Sequence, residues 1–270
     1  MAKAGVYQTK KKDGSVYYRV SITYRSKHIS LGSFSDEQIA HQAYEEAQTI
    51  LREGKWSIAD FDKARTLSLE KFVILMNYRD NGIYFKTPMY LYPRHFEYYL
   101  SPTQVLKFDR DDLFFYASHK IMVRQGRLFY CDYGNQYGIL TRYGMKSYSV
   151  PGRDFHFVNG DNNDYRYSNI LVINQYMGVL QNEKDGKTVY DVYIHVRGNY
   201  KVGTYDNEET AAIAYNKAAN LLKERGSPKS YIKNYITGLS KVDYQKQYDE
   251  VRISPALYEL KFPMQNQGTV

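Results

Sequence analysis

The chain has 270 residues, a net charge of +8, 43% hydrophobic residues and 24% charged ones. These proportions fit a folded globular protein and exclude a disordered or collagen-like chain. The longest aliphatic run, Phe72–Met76, is far too short to span a bilayer, and a single cysteine, Cys131, excludes a disulfide framework or a cysteine-based zinc site.

The opening residues carry no apolar stretch of signal-peptide type, so a cytoplasmic, nucleoid-associated protein is expected, with no membrane partner. The positive charge suits a polyanion. Thirty tyrosines suit strands with one wet face, where a ring packs and its hydroxyl reaches water.

The first group of elements runs from Gly5 to Gly54. Asp13-Gly14 is a hairpin signal between β-rich runs. In Val16–Tyr24 the even positions (Val16, Tyr18, Val20, Ile22, Tyr24) make an apolar face, and the odd positions (Tyr17, Arg19, Ser21, Thr23) a polar one. Ile39, Ala40, Ala43, Tyr44, Ala47, Ile50 and Leu51 then recur at helical spacing. The pattern predicts three short antiparallel strands with one face on a helix and the other polar. The same order returns at Gly178–Gly226. Gly-Val-x-Gln opens both copies, at Gly5 and at Gly178, and Asp185-Gly186 repeats the turn. Leu31-Gly32-Ser33-Phe34 answers Val202-Gly203-Thr204-Tyr205, and an Ala-rich helix follows Ser35-Asp36 or Asp206-Asn207.

This pattern resembles the plant APETALA2/ethylene-response-factor DNA-binding domain and its bacterial and phage relatives. The resemblance implies that the polar sheet face enters the major groove of double-stranded DNA while the helix braces it. By position, the first copy would present Tyr7, Thr9, Lys11, Arg19, Ser21, Thr23, His28 and Ser30, with Lys10, Lys12 and Arg25 beside them. The second would present Leu180, Asn182, Asp191, Tyr193, His195, Asn199 and Lys201, with Lys184 and Arg197 beside them. The run Lys10–Lys12 would clamp phosphate. Several arginines and tryptophans of the plant domain are replaced here, so its base code does not carry over. Asp191 stands where the first copy has Arg19; it repels phosphate and would accept from a cytosine amine.

Residues 55–115 hold Trp56, a helix candidate around Leu67–Asn77 and a Tyr/Pro-rich stretch, Thr87–Pro102; a connector of helix and loop is expected. Strand-like runs at Lys120–Tyr130 and Gly138–Val150 open the segment 116–177. Its end, "HFVNGDNNDYRYSNI" (His156–Ile170), resembles the HNH (ββα-metal) homing-endonuclease motif. Asn159, Gly160, Asp161, Asp164, Arg166, Asn169 and Ile170 match that motif in type and spacing. These residues hold a loop: a glycine for a tight turn, Asx side chains for neighbouring backbone and for capping a following helix, and Arg166 for an acid or a phosphate. The resemblance places a metal aspartate at His156, the histidine base at Phe157 and a second ligand near Gly178. Phenylalanine cannot take a proton and glycine has no side chain, so the chemistry is missing at all three.

The expected architecture is therefore α+β, with two three-stranded antiparallel sheet plus helix domains (1–54 and 178–226) flanking a degenerate ββα-metal core (116–177), and a helical tail (227–270). The expected function is sequence-specific binding of a bipartite duplex site by a homing-endonuclease relic, a transcriptional regulator of a phage or mobile element, with no cofactor and no catalytic residue. Arg166 and Lys146 would add backbone contacts from the core. Two alternatives stand beside it. One is a magnesium-dependent endonuclease with a rearranged site at Asp154, His156 and Asn163. The other is a protein-interaction or inhibitory protein whose repeats are partner surfaces.

Overall fold

The computed structural model describes residues 4–262; residues 1–3 and 263–270, the outer ends of the expected first domain and tail, lie outside the described residues. The fold is mixed α+β, with several small three-stranded antiparallel sheets and a few helices. The chain divides into two compact units, one of residues 1–137 and 159–169, the other of 138–158 and 170–270. Each repeat lies in its own unit. The expected core, 116–177, is not a body of its own, because its stretches are shared between the two units.

The first unit begins with β1 (Val6–Lys10), β2 (Val16–Tyr24) and β3 (Lys27–Phe34), paired antiparallel in that order, and α1 (Glu37–Gln48). Alternation sends Val20, Ile22, Ile29 and Leu31 inward against Ala40, Ala43 and Ala47, all buried. Asp36 caps α1, accepting from Gln38 N at 2.7 Å and Ile39 N at 2.9 Å. Two residues expected inside are not: Val16 is 38% exposed and Ile39 46%. Val16 pairs with Lys10 at the open hairpin end of the sheet, and Ile39 sits one position off the Ala40–Ala43–Ala47 stripe.

The segment 55–115 is no connector. Its helix α2 (Leu69–Asn81) is buried all round from Phe72 to Tyr78, packed against β4 (Met89–Leu91) and β5 (His95–Ser101). With β6 (Gln104–Asp109) these strands form a second sheet whose Phe96, Tyr98 and Phe108 are fully buried. The Tyr/Pro-rich composition of Thr87–Pro102 hides this alternation, since Tyr98 points inward while Tyr99 is only half-buried. A short helix, α3 (Leu113–Ser118), leads to a third sheet of β7 (Met122–Arg124), β8 (Arg127–Asp132) and β9 (Asn135–Gly138). The loop 159–169 belongs to this unit because it docks on β6. Lys107 N donates to Asn163 O at 2.9 Å and Tyr165 N to Lys107 O at 2.8 Å.

In the second unit the strand expected over Gly138–Val150 does not form. Ile139–Tyr143 is instead a 3-10 turn that stops at Gly144, in the left-handed region at φ 74°. Next, β10 (Phe155–Phe157) pairs antiparallel with β11 (Ile170–Val172). The helix expected to follow Asn169 is absent, since Ile170–Val172 is that strand. The second repeat follows as β12 (Val179–Lys184), β13 (Lys187–His195), β14 (Asn199–Tyr205) and α4 (Glu208–Glu224). It copies the first in its irregularities. Val20 faces Gly32 while Ser21 faces Ser30, and Val192 faces Gly203 while Tyr193 faces Lys201, so both sheets carry the same bulge. Gly5 and Gly178 both lie at positive φ, where an added Cβ would meet the ring of Tyr44 at 2.2 Å or of Tyr215 at 2.4 Å. Among its described residues, the expected helical tail is helical only in α5 (Lys241–Glu250) and the turn Pro255–Leu257; residues 227–240, with Pro228 and Gly238, form no regular element. Among the described residues, no helix is long and apolar enough to cross a membrane.

Candidate nucleic-acid interface

The outer face of the first sheet is set by register. Tyr7 stands opposite Arg19, which stands opposite Ser33; Thr9 faces Tyr17, Ser21 faces Ser30 and Thr23 faces His28. This face carries no carboxylate. Tyr7 is 59% exposed, and Arg19, Thr23, His28 and Ser30 are exposed. Arg19 is braced from its own strand: Nε and Nη2 donate to the Tyr17 hydroxyl at 3.2 and 2.8 Å. The phenol aims the guanidinium without neutralising it, and most of the Arg19 donors stay open. Thr23 Oγ1 and His28 Nδ1 lie 3.5 Å apart. Lys10, Lys11 and Lys12 crowd the exposed hairpin beside the face. Arg25 leaves the set: its guanidinium lies over Tyr24 and Nη1 donates to Tyr78 O at 3.5 Å. Tyr17 and Ser33 are the members that the pattern alone did not single out, although Tyr17 lies on the predicted polar face.

The second sheet's outer face has the same layout and different chemistry. Leu180 stands opposite Asp191, which stands opposite Thr204; Tyr193 faces Lys201 and His195 faces Asn199. Asp191 is a hub. Its carboxylate accepts from Asn182 Nδ2 at 2.6 Å and Thr204 Oγ1 at 2.6 Å, and pairs with Lys201 Nζ at 2.7 Å. Burial works to raise the Asp191 carboxyl, but Lys201, Thr204 and Asn182 outweigh it and hold it below the usual carboxylate range. An acid with three donors on it has little capacity left for a base amine, and Lys201 spends its charge on Asp191. His195 Nδ1 and Asn199 Oδ1 lie 2.9 Å apart. Lys184 and Arg197 lie exposed at the strand ends.

The nuclease-like stretch separates into two parts. The loop 159–169 is held by the residues that match the motif. Asn159 N donates to Asn169 Oδ1 at 2.8 Å, Asn169 Nδ2 to Asp164 O at 2.8 Å, and Asp161 N to Asn159 Oδ1 at 2.8 Å. Arg166 pairs with the buried Asp164 through Nε at 2.8 Å and Nη2 at 2.5 Å. Burial pushes the Asp164 carboxyl up, and Arg166 more than reverses this. Arg166 is thus a loop brace, with its Nε and Nη2 spent on Asp164. Asn163 belongs to the same loop, donating to Asp161 Oδ1 at 3.0 Å.

The other part, in the second unit, holds Asp154 and His156. Asp154 is fully buried. Its carboxylate takes Lys146 Nζ at 3.0 Å, Arg153 Nη2 at 2.7 Å and Val150 N at 2.8 Å, while its carbonyl accepts from Ile173 N and Asn174 N. Burial opposes ionisation, and the two cations prevail, so its pKa is lowered. Lys146 is itself only 9% exposed, which removes it from the expected backbone contacts. His156 is exposed on β10, opposite Leu171, and Phe157 stacks edge-on to Phe155 at 5.2 Å. The residues present do not fit a catalytic divalent metal. Asp154 is consumed by an internal ion pair, and Gly178 serves as the sterically required start of the second repeat, where a ligand side chain cannot be placed.

No family model, curated protein or solved structure matches this chain.

Proposed function

We propose that the protein binds duplex DNA sequence-specifically and does not cut it, with the first sheet as its principal reader. The observation that carries this reading is the outer face of β1–β3. It is a carboxylate-free row in which Arg19 is aimed by Tyr17 and stands between Tyr7 and Ser33, with the pairs Ser21–Ser30 and Thr23–His28 further along the same face. Arginine with a fixed fork suits the O6 and N7 acceptors of guanine, and hydroxyls suit either base edge. Lys10, Lys11 and Lys12 suit the phosphates beside the groove. The second sheet, its central charges paired with one another, contributes its exposed Lys184 and Arg197 and a weaker half of a bipartite site. A regulator descended from a homing endonuclease, as the resemblance implies, fits this division. The loop 159–169 keeps the motif's fold-holding residues, while two positions of its chemistry, Phe157 and Gly178, carry groups that cannot perform it.

The test is selection from a random duplex pool at moderate salt with magnesium present, sequencing both retained molecules and new ends. Enrichment of a motif on intact DNA, weakened in Arg19→Ala, is the expected result. Retention without any motif, or equal retention by Arg19→Ala, overturns the assignment of the reader. New ends clustered at one position overturn the non-cutting part.

A further inference from the structure

The second repeat differs from the first in what surrounds its outer face. Part of that face is the floor of a cleft of about 750 Å³, walled by chain from 146–153 and from 229–232. A volume of this size is that of a small-molecule site. Its lining includes three cations, Lys146, Arg153 and Lys229, and no carboxylate. Asp154 lies behind Lys146 and Arg153 and offsets one of the three charges, which leaves a net surplus of positive charge facing the cleft.

Donors remain on Lys229 and Arg153, while Lys146 is held inward by Asp154 and the Tyr176 carbonyl. Lys229 Nζ donates to His195 O at 3.0 Å, one hydrogen bond out of the three that an ammonium can make. Arg153 engages Asp154 through Nε and Nη2, leaving its Nη1 edge. Opposite in character are four tyrosines in the same lining, Tyr148, Tyr193, Tyr215 and Tyr231. Two of them already carry cations near their rings, Lys201 over Tyr193 at 6.0 Å and Lys229 over Tyr231 at 5.7 Å. Tyr148 is 64% exposed. Asn182 and Asn199 add amide edges to the floor.

Anion-binding cations beside aromatic faces and amide edges match a ligand with a phosphate, a flat ring and hydrogen-bonding ring edges. From this we infer that the cleft binds a nucleotide unit, supplied either as a free mononucleotide or as one residue of a single strand. The inference does not draw on the first sheet, the principal duplex reader, but it takes up part of the second sheet's face given above to the weaker half-site; its test contains no duplex.

The full chain is titrated calorimetrically with 5′-mononucleotides, the matching nucleosides, inorganic phosphate and a short single-stranded oligodeoxynucleotide. Saturable binding of mononucleotide or oligonucleotide is expected, with nucleoside and phosphate each at least about tenfold weaker, because a charged hydrogen bond and a stacked ring each contribute roughly that factor. Binding of the free mononucleotide identifies the free source, and binding of the oligonucleotide alone identifies the strand. Lys229→Gln and Tyr148→Ser, both exposed and expected to fold, should each weaken the bound species about tenfold, while Lys55→Gln in the other unit leaves it unchanged. Phosphate binding as tightly as nucleotide, no saturable binding of either nucleotide source, or binding indifferent to both cleft variants overturns the inference.

Discussion

The two repeats show one backbone put to two uses. Both open on a positive-φ glycine under a tyrosine ring, both bulge at the same step of the third strand, and both bury an alanine stripe of their helix. These shared features all lie on the inner face or in the backbone. The outer faces diverge at several pairs and reverse charge at one: Arg19 stands opposite Tyr7 in one copy, Asp191 opposite Leu180 in the other. An arginine braced by a neutral phenol keeps its charge for a partner. An aspartate in the same place draws in Lys201, Thr204 and Asn182 and closes the face on itself. Packing constrains the inside of such a unit, and a single charge reversal decides what the outside can meet.

The largest expected effects test the shared part. Gly5→Ala and Gly178→Ala each force a Cβ onto a tyrosine ring and a nearby carbonyl, at a backbone conformation that L-residues disfavour. Each should cost about 2–4 kcal/mol, from overpacking plus backbone strain. Trp56 packs beside Phe72 in the first core, so its fluorescence in a denaturant titration follows that unit. Gly5→Ala should lower its midpoint. Hydrogen exchange of β13 should report the matching loss in Gly178→Ala. If either alanine is tolerated without loss, the two glycines are not equivalent and the repeat is only superficial.

The divergent part comes next. Arg19→Ala should weaken binding to a selected duplex about ten- to a hundredfold, the usual discrimination of a bidentate base contact, about 1–3 kcal/mol. Asp191→Asn should act in the opposite direction, tightening duplex binding severalfold and steepening its salt dependence, because it releases Lys201. The network also has a pH signature. The folded-state pKa of Asp191 is lowered, so its stabilising contribution is complete above the ordinary aspartate range, near about 4, and is lost as pH falls through the folded value. Carboxyl NMR titration should place Asp191 below that range, and Lys201→Met should bring it back toward it. A normal titration of Asp191 in the intact chain removes the reason for calling this face closed.

Much of this was legible in the residues. The repeat, its hairpin turns and the polar outer rows follow from two-residue alternation and Asp-Gly, which depend on near neighbours in sequence. The loop-holding roles of Asn159, Asp161 and Asn169 follow from short-range Asx bonding for the same reason. Partners that lie far apart in sequence did not show. Nothing near Asp154 announces that Lys146 and Asn174 converge on it, and nothing near Lys229 places it at the carbonyl of His195. The segment 55–115 failed differently. Phe72–Met76 reads as apolar on every side, the mark of a helix buried all round, and that mark was available; only its partners, the strands hidden among tyrosines and prolines, were not.

The smallest expected effect separates reading from clamping. Lys11→Ala removes one charge from an exposed hairpin and touches no group of the sheet face. If Lys11 only neutralises a phosphate, the loss of affinity should be nearly equal for selected and scrambled duplexes, and the slope of log K against log salt should fall by about 1. Arg19→Ala should instead lose most on the selected duplex, with less change of slope than of specificity. The two substitutions remove the same formal charge from the same repeat, so net charge cannot explain a difference between them. Equal behaviour of both on both duplexes would mean that the face binds DNA as a positive surface alone, and that the Tyr17 brace on Arg19 has no part in choosing a sequence.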